Sequence, residues 1–205
     1  MQPTSCLVEV RSGTLKGCTG RYEKRLSDLV GIYADADAFA ARLRESADPL
    51  VYAVEDLRPS TAAGDMIFGV TRMIPGQVGG EFFVTRGHIH AKANRPEIYY
   101  GESGVGLMLL ESPEGETRIV EITPRTVCYV PPYWIHRSVN VGAEDLIMTF
   151  AYPADSGQDY EIIAKSGGMR QRIVDDGCGS WKAVDNSEYR PRDASAVARI
   201  MASAD

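Results

Sequence analysis

Residues 85–92 carry the sequence Thr-Arg-Gly-His-Ile-His-Ala-Lys, in which one residue separates two histidines. Side chains two positions apart on a β-strand lie on the same face, so His88 and His90 are expected side by side. Glu97 begins the next β-like run, and His136, the third and last histidine, follows a proline-rich turn. Three imidazoles and one carboxylate suit Zn²⁺, Fe²⁺, Ni²⁺ or Mn²⁺. The four residues are therefore a candidate metal site with positions left open for water or substrate.

The same alternation predicts how the neighbours of the histidines are oriented. It places Arg86 on the histidine face and turns Gly87 and Ile89 away from it. A His-x-His pair is weak evidence by itself, because many histidines are surface residues or satisfied core residues. Glu97 and His136 strengthen the interpretation of the pair as part of a metal site.

Short β-rich runs separated by Gly and Pro fill the chain from Val51 to about Tyr152. The expected strands span residues 50–55, 65–73, 81–85, 97–100, 106–111, 117–122, 126–129, 137–140 and 146–151. Such spacing, without intervening helices, predicts an antiparallel sandwich or barrel. Outside this core we expect helices at 25–30, 37–45, 160–165 and 194–204 and a strand at 171–174. We predict one domain over residues 1–205, with its barrel core at about 50–155 and decorations at both ends.

The composition limits the partners of the chain. Its 205 residues carry a formal charge of -6 with no compensating basic run, which argues against nucleic acid. No stretch approaches the roughly 20 apolar residues of a membrane span and no secretory signal is evident, so we expect a cytoplasmic protein without a membrane partner. Cys6, Cys18, Cys128 and Cys178 are scattered and are expected as reduced thiols. A Cys6–Cys18 bridge across an N-terminal hairpin is the alternative.

Longer motifs surround the candidate ligands. The chain resembles the cupin superfamily in two motifs, His88-x-His90…Glu97…Gly104 and Pro131…His136-x-x-x-Asn140. It departs from the general pattern at three places. Six residues separate His90 from Glu97, where most cupins have fewer, and Arg125 and Tyr133 stand where the second motif usually has glycine.

These departures are typical of a narrower group. The matching segments are 85–92, Glu97-Ile-Tyr99, Tyr129-Val-Pro-Pro-Tyr-Trp-Ile-His136 and Tyr152-Pro-Ala-Asp-Ser-Gly-Gln-Asp-Tyr160. They closely resemble the cupin-type glucose-6-phosphate isomerases, the metal-dependent enzymes of many archaea and some bacteria, and the likeness covers roughly residues 50–184. The resemblance implies a mostly β fold, namely a single cupin barrel (a double-stranded β-helix, jelly-roll-like) with a few peripheral helices. By analogy it also implies a homodimer.

The resemblance assigns roles to particular residues. The metal ligands would be His88, His90, Glu97 and His136, holding one divalent ion, with Fe²⁺ as first choice and Zn²⁺, Ni²⁺ or Mn²⁺ as alternatives. The residues near the substrate, mainly around its phosphate, would be Tyr52, Thr71, Thr85, the backbone of Gly87, and Tyr99. Tyr152 would lie near the sugar, and Glu97 and Tyr152 are the candidates for catalysis. Gln158 stands where archaeal members have histidine, which leaves one part of the mechanism open.

The activity implied is the interconversion of glucose 6-phosphate and fructose 6-phosphate, a step of glycolysis and gluconeogenesis. An enediol mechanism with Glu97 as the proton carrier and a metal-assisted hydride shift both remain open. Mannose 6-phosphate is a neighbouring substrate. Two other functions fit the same ligand set. One is an Fe²⁺-dependent dioxygenase, and the other is a non-catalytic sugar-binding cupin.

Overall fold

The structure, a computed structural model that describes residues 2–203, is built mainly from β-strands. The strands are β1 (Leu7–Glu9), β2 (Thr14–Lys16), β3 (Gly20–Arg25), β4 (Leu50–Leu57), β5 (Met66–Met73), β6 (Gln77–Val78), β7 (Glu81–Phe82), β8 (Glu97–Ser103), β9 (Gly106–Glu111), β10 (Thr117–Ile122), β11 (Val127–Val130), β12 (Ile135–Asn140), β13 (Leu146–Pro153), β14 (Gln171–Asp175) and β15 (Trp181–Asp185). The helices are a 3-10 turn, Leu26–Leu29, and α1 (Ala36–Glu45), α2 (Glu161–Lys165) and α3 (Ala194–Ala202). The predicted mostly β fold with a few peripheral helices is confirmed.

Two antiparallel sheets enclose the interior. The larger has the strand order β11-β8-β13-β5-β4-β3, and the smaller has the order β10-β9-β12. Every residue of β9 and β12 is buried, because these strands are covered on both faces. The apolar core therefore lies between the sheets, where Phe83, Met73, Leu107 and Ile135 are almost fully buried.

The segment between β7 and β8 extends the smaller sheet without forming a regular strand. Isolated bridges join Val84 to Val139 and His88 to His136 on β12, and Ile89 to Asp159. A separate four-stranded sheet, β15-β14-β7-β6, packs beside it. Across the described residues, the hydrogen-bonded sheets do not close into one continuous ring, so the barrel is formed by facing sheets.

Several peripheral strands are absent from the set of strands predicted from the sequence, although an N-terminal hairpin was considered for the cysteines. The N-terminal hairpin β1-β2 covers the outer face of the larger sheet, where Leu15 packs on Val70 and Ile147. Strand β3 escaped prediction because its sequence, Gly-Arg-Tyr-Glu-Lys-Arg, is polar and its residues are mostly exposed on an edge. The 194–204 helix is present as far as Ala202, and residue 204 lies outside the described part of the chain.

The cysteines and the helices can be compared with the expectations of reduced thiols and of a chain without a membrane span. All four cysteines are free thiols, so the Cys6–Cys18 bridge is absent from the structure. None of the helices within residues 2–203 is long and apolar enough to cross a bilayer.

Arg125 and Tyr133, the two residues that replace the usual cupin glycines, both have left-handed backbones. Their φ angles are 74° and 71°. A side chain in this region is strained by roughly 1–2 kcal/mol, since its Cβ approaches the following carbonyl. The glycine of the general motif is thus explained by backbone geometry, and this chain keeps the geometry without the glycine.

The Arg125→Gly variant should be more stable than the wild type by about 0.5–1 kcal/mol, because relief of the strain exceeds the entropic cost of glycine. The exposed Arg125 keeps its backbone hydrogen bond to the Gly101 carbonyl, which needs no side chain. Arg125→Ala is the matched control and should change stability little, since alanine retains the strain. Denaturant unfolding measures both, and equal effects of the two variants would contradict the explanation.

Candidate metal centre

The candidate ligands come from both sides of the interior. His88 and His136 form a backbone bridge, in which each amide donates to the other residue's carbonyl at 3.0 and 2.9 Å. This pairing brings the two imidazoles to 4.4 Å between ring centroids. Glu97, the first residue of β8, approaches from the larger sheet, and His90 follows the bridge. The site therefore exists only when the two sheets pack together.

The four side chains converge on one point. One ligand atom from each of His88, His90, Glu97 and His136 lies within 4.8 Å of all the others. The Glu97 Oε2 atom is 3.0 Å from Nε2 of His136, 3.3 Å from that of His90 and 3.9 Å from that of His88. All four residues are buried. The cluster predicted from sequence spacing is thus assembled in the fold.

The hydrogen bonds on the far side of the rings determine what faces the centre. The Nδ1 atom of His90 lies 2.7 Å from the Arg95 carbonyl, and that of His136 lies 3.1 Å from the Trp134 carbonyl. A carbonyl only accepts, so Nδ1 of each ring carries a proton, which leaves Nε2 as the atom available to coordinate. The two Nε2 atoms and Glu97 Oε2 converge as a set of donors suited to a divalent ion.

The remaining electrostatics agree with a metal site. Burial, with the neighbouring His136, lowers the pKa of His88 well below its usual value, so the ring is neutral and able to coordinate. Burial alone would raise the pKa of Glu97, but its contacts with His136 and His90 outweigh burial and hold the pKa well below the usual range. Within residues 2–203, the Nε2 atoms of His88 and His90 have no hydrogen-bond partner. The residues therefore fit a bound divalent ion.

A pocket opens on the ligand cluster from the interior. His88 and Glu97 line it together with all the predicted substrate residues, namely Tyr52, Thr71, Thr85, Gly87, Tyr99 and Tyr152. Its free volume is about 60 Å³, less than the roughly 300 Å³ at which small-molecule sites begin. The pocket is therefore narrower in this conformation than a typical small-molecule site.

The orientation predicted for Arg86 is wrong, because Arg86 lies outside the pocket and packs over the Tyr160 ring at 5.1 Å. Gly87 turns its Cα hydrogens toward Ile163 and Arg137, away from the ligand cluster as predicted, and its backbone lines the pocket. Arg86 departs from the prediction because of the Gly87 backbone, whose φ of 73° interrupts the alternation of a regular strand. A Cβ at this position would lie 2.8 Å from Arg137 Cβ and 2.7 Å from Ile163 Cδ1, so the close approach requires glycine.

Sequence reasoning missed several residues that line the pocket. They are Tyr22, Val54, Asp56, Arg58, Ser138, Phe150 and Tyr160. A signal was available for some of them, since Val54, Asp56 and Arg58 continue from Tyr52 at every second position. Arg58 supplies a positive charge there, and its guanidinium donates to Asp56 Oδ2 at 2.8 Å. Gln158 also lines the pocket, and its Oε1 accepts a hydrogen bond from the Tyr160 hydroxyl.

Comparison with known proteins fixes the family. The profile of a family described as Glucose-6-phosphate isomerase (GPI) matches residues 23–191. This chain belongs to the glucose-6-phosphate isomerase family. The resemblance inferred from its motifs is thereby confirmed, and it extends beyond residues 50–184 at both ends.

Relatives in the isomerase family span nearly the whole chain. A glucose-6-phosphate isomerase of Sinorhizobium medicae (strain WSM419) is 62% identical over 199 residues, covering 97% of this chain and 93% of its own length. One of Thermococcus gammatolerans is 44% identical over 188 residues, covering 92% and 97%. Among solved structures, an oxalate oxidase in complex with glycolate gives a TM-score of 0.45 at 17% identity, covering 53% of this chain and 54% of that one.

We predict that the protein binds one divalent ion per chain and that His90→Ala weakens this binding by more than about a hundredfold, because one of four ligands is lost. Metal analysis after dialysis against Fe²⁺ or Mn²⁺ measures the stoichiometry. Leu7→Ala is a control at an exposed residue of the N-terminal hairpin, outside the cluster, and should bind as the wild type does. Unchanged affinity in His90→Ala would contradict the assigned ligand set.

Proposed function

We propose that this chain interconverts glucose 6-phosphate and fructose 6-phosphate by moving hydrogen between C1 and C2 of the open-chain sugar. The observation that carries the proposal is the buried cluster of three histidines and Glu97, which opens directly into a pocket lined by hydroxyl groups. Membership of the isomerase family supports the reaction, and the high identity to isomerases over nearly their full length supports the substrate.

The hydroxyl-lined part of the pocket is the proposed phosphate site. Thr71, Thr85, Tyr52, Tyr99 and the amide of Gly87 would donate hydrogen bonds to phosphate oxygens. Ser138 fixes the Thr85 hydroxyl, because its amide donates to Thr85 Oγ1 at 3.0 Å. Since the chain as a whole carries a charge of -6, these local donors and Arg58 would have to meet the charge of the phosphate.

One divalent ion, held by His88, His90, Glu97 and His136, would act as a Lewis acid toward the sugar oxygens when bound. We propose Fe²⁺ as the ion, with Zn²⁺, Ni²⁺ and Mn²⁺ as alternatives, because three imidazoles and a carboxylate accommodate each of these metals. The chain's own contribution is orientation, since the backbone bridge and the Nδ1 hydrogen bonds fix the imidazoles before substrate arrives.

Glu97 has two oxygens that differ in their surroundings. Oε2 converges with the three imidazoles and is the proposed ligand atom. Oε1 would then be left to carry the proton between C1 and C2. This division matters because coordination lowers the basicity of a carboxylate oxygen, so the coordinating oxygen would be a poor base. Tyr152 would serve as a donor. Burial, with a contribution from Glu97, raises the pKa of Tyr152 to about 12, so its phenol keeps its proton and can hydrogen-bond a sugar oxygen.

Apo-protein reloaded with Fe²⁺ is expected to convert fructose 6-phosphate to glucose 6-phosphate, measured with a coupled dehydrogenase, and parallel reloading with Zn²⁺, Ni²⁺ or Mn²⁺ ranks the metals. Glu97→Gln should lower kcat by at least about 10²-fold, the usual contribution of a general base. The variant must be assayed at saturating metal, with bound metal measured in the same sample.

Glu102→Gln is the matched control for Glu97→Gln, because Glu102 lies on the same strand, outside the ligand cluster and the pocket. It should keep wild-type turnover. Absence of turnover with every metal would reject the isomerase activity. Full turnover by a metal-loaded Glu97→Gln enzyme would reject the proton-carrying role alone.

The proposed setting is a homodimer in the cytoplasm, where the four free thiols would remain reduced. An apolar strip on the outer face of the larger sheet is the proposed contact. Ile98 on β8 is exposed, as are Val127 and Tyr129 on the edge strand β11. Ile98 and Tyr129 are direct cross-strand partners, so they share this face. An exposed apolar strip of this kind on a sheet edge is typical of an interface between subunits.

Tyr129→Lys should shift the protein from dimer to monomer, because it places a charge in the proposed contact. Light scattering coupled to gel filtration measures the mass. Leu7→Lys, a substitution at an exposed apolar residue of the N-terminal hairpin, should leave the dimer intact. A monomeric wild type, or a Tyr129→Lys variant that stays dimeric, would contradict the assignment.

A further inference from the structure

Strand β12 also carries a polar side chain, Arg137, that is directed away from the ligand cluster. His136 and Ser138 face the interior, where they contribute to the metal centre and the pocket. Arg137, between them, lies on the opposite face and lines a separate cavity of about 430 Å³. Volumes between roughly 300 and 1,000 Å³ are those of small-molecule sites. The cavity is therefore large enough for a ligand of its own.

Arg137 is a buried charge without a carboxylate partner. It is 8% exposed, and its Nη2 donates to the Arg86 carbonyl at 2.6 Å. Among residues 2–203, its Nε has no hydrogen-bond partner and no acid lies within ion-pair distance. A buried, unpaired charge costs several kcal/mol, which is why such a group normally has a counter-ion. Burial lowers its pKa to about 10, so the group is still charged at neutral pH.

Two further arginines, Arg172 and Arg86, line the same cavity. The pairing of Arg172 shows how the nearby acid Glu81 is already engaged. Arg172 pairs with Glu81 at 2.9 Å and also donates to the Ile32 carbonyl. The other carboxylate oxygen of Glu81 accepts from the Ala34 amide at 2.6 Å, so both oxygens of this acid already have partners, and Glu81 acts on Arg137 only at longer range. Arg86 is the third arginine of the lining. Two acids, Asp28 and Glu188, also line the cavity, but both are exposed and therefore screened by water.

We propose that this cavity, with Arg86, Arg137 and Arg172 in its lining, is a second anion site that binds a small phosphate-bearing molecule. The planar guanidinium groups match the oxygen geometry of phosphate. Gly168 also lines the cavity, and a Cβ at this position would lie 2.6 Å from Asn186 Nδ2 and 3.6 Å from Arg172 Nη2, so the wall here requires glycine. The site lies on the opposite side of β12 from the pocket assigned to the substrate.

Two features would couple the anion site to the substrate pocket, namely the backbone around Arg86 and the Tyr160 side chain, which lines both cavities. Arg137 holds the Arg86 carbonyl, and the residues on either side of Arg86 are Thr85 and Gly87, both of which line the inner pocket. An anion that draws the Arg137 guanidinium toward itself would weaken this hold. The expected effect of the outer anion on catalysis rests on the proposed function of the inner pocket. Binding of the anion to the outer cavity does not depend on that function.

Calorimetric titration of the metal-loaded protein with inorganic phosphate tests the proposal. The wild type should bind two phosphates per chain. Ala164→Glu places a carboxylate in the cavity from an exposed helical position and should weaken the outer site by at least about tenfold. Ala164→Gln is the matched control, of equal size and without charge, and should keep both sites. Arg137→Met should lose the outer site and still fold, since methionine fills a similar volume with a flexible apolar chain and removes the buried charge.

Thr71→Val separates the two sites, because Thr71 lines the inner pocket alone. It should remove the inner phosphate and leave the outer one. Phosphate at the outer site should also lower kcat at saturating fructose 6-phosphate, an effect that Ala164→Glu abolishes. Outer binding that survives both Ala164→Glu and Arg137→Met would overturn the second site. If Ala164→Glu and Arg137→Met lose the outer phosphate but Thr71→Val still binds two phosphates, the second site stands. That result would instead contradict the proposed inner phosphate site.

Discussion

His88 and His136 exchange two backbone hydrogen bonds across the smaller sheet, and this one pair sets the geometry of the whole centre. It joins an irregular segment to a regular buried strand, so the position of one imidazole follows from that of the other. Glu97 reaches them only because β8 lies in the facing sheet, paired with β11 and β13. The metal centre is therefore also a joint between the sheets, and packing of the core and assembly of the site are the same event.

The cost of burying this polar cluster explains much of its surroundings. Four ionisable side chains without water would destabilise the fold unless each polar atom had a partner. Backbone carbonyls of Arg95 and Trp134 satisfy the outer nitrogens of two rings, and Glu97 Oε2 lies 3.0 Å from Nε2 of His136, whereas Nε2 of His88 and His90 has no hydrogen-bond partner among residues 2–203. A divalent cation held by these residues would be a partner for all four side chains at once. Metal affinity would then be coupled to folding, because the ligands come together only in the folded chain.

The strands of the core and the convergence of His88, His90, Glu97 and His136 could be predicted from the sequence, because they depend on local patterns and on long motifs. Several other residues that line the pocket were missed. The left-handed backbones at Arg125 and Tyr133 correspond to the departures noted in the motif. The face of Arg86 was predicted wrongly, since strand alternation fails where Gly87 adopts a positive φ. The strands β1, β2 and β3 were missed for another reason. Their positions depend on contacts with distant strands, such as Leu15 with Val70, which no local pattern encodes.

The alternation along β12 shows how one buried strand can serve two sites. Because successive side chains point to opposite faces, a strand covered on both sides has two environments three to four ångströms apart along the chain. His136 and Ser138 use one face, and Arg137 uses the other. A shift of one residue in register would exchange the two faces and place an arginine among the metal ligands. In the pairing of β12 with β9, His136 lies opposite Leu110. Both faces of β12 constrain this register, because the same register that directs His136 to the metal centre directs Arg137 to the outer cavity.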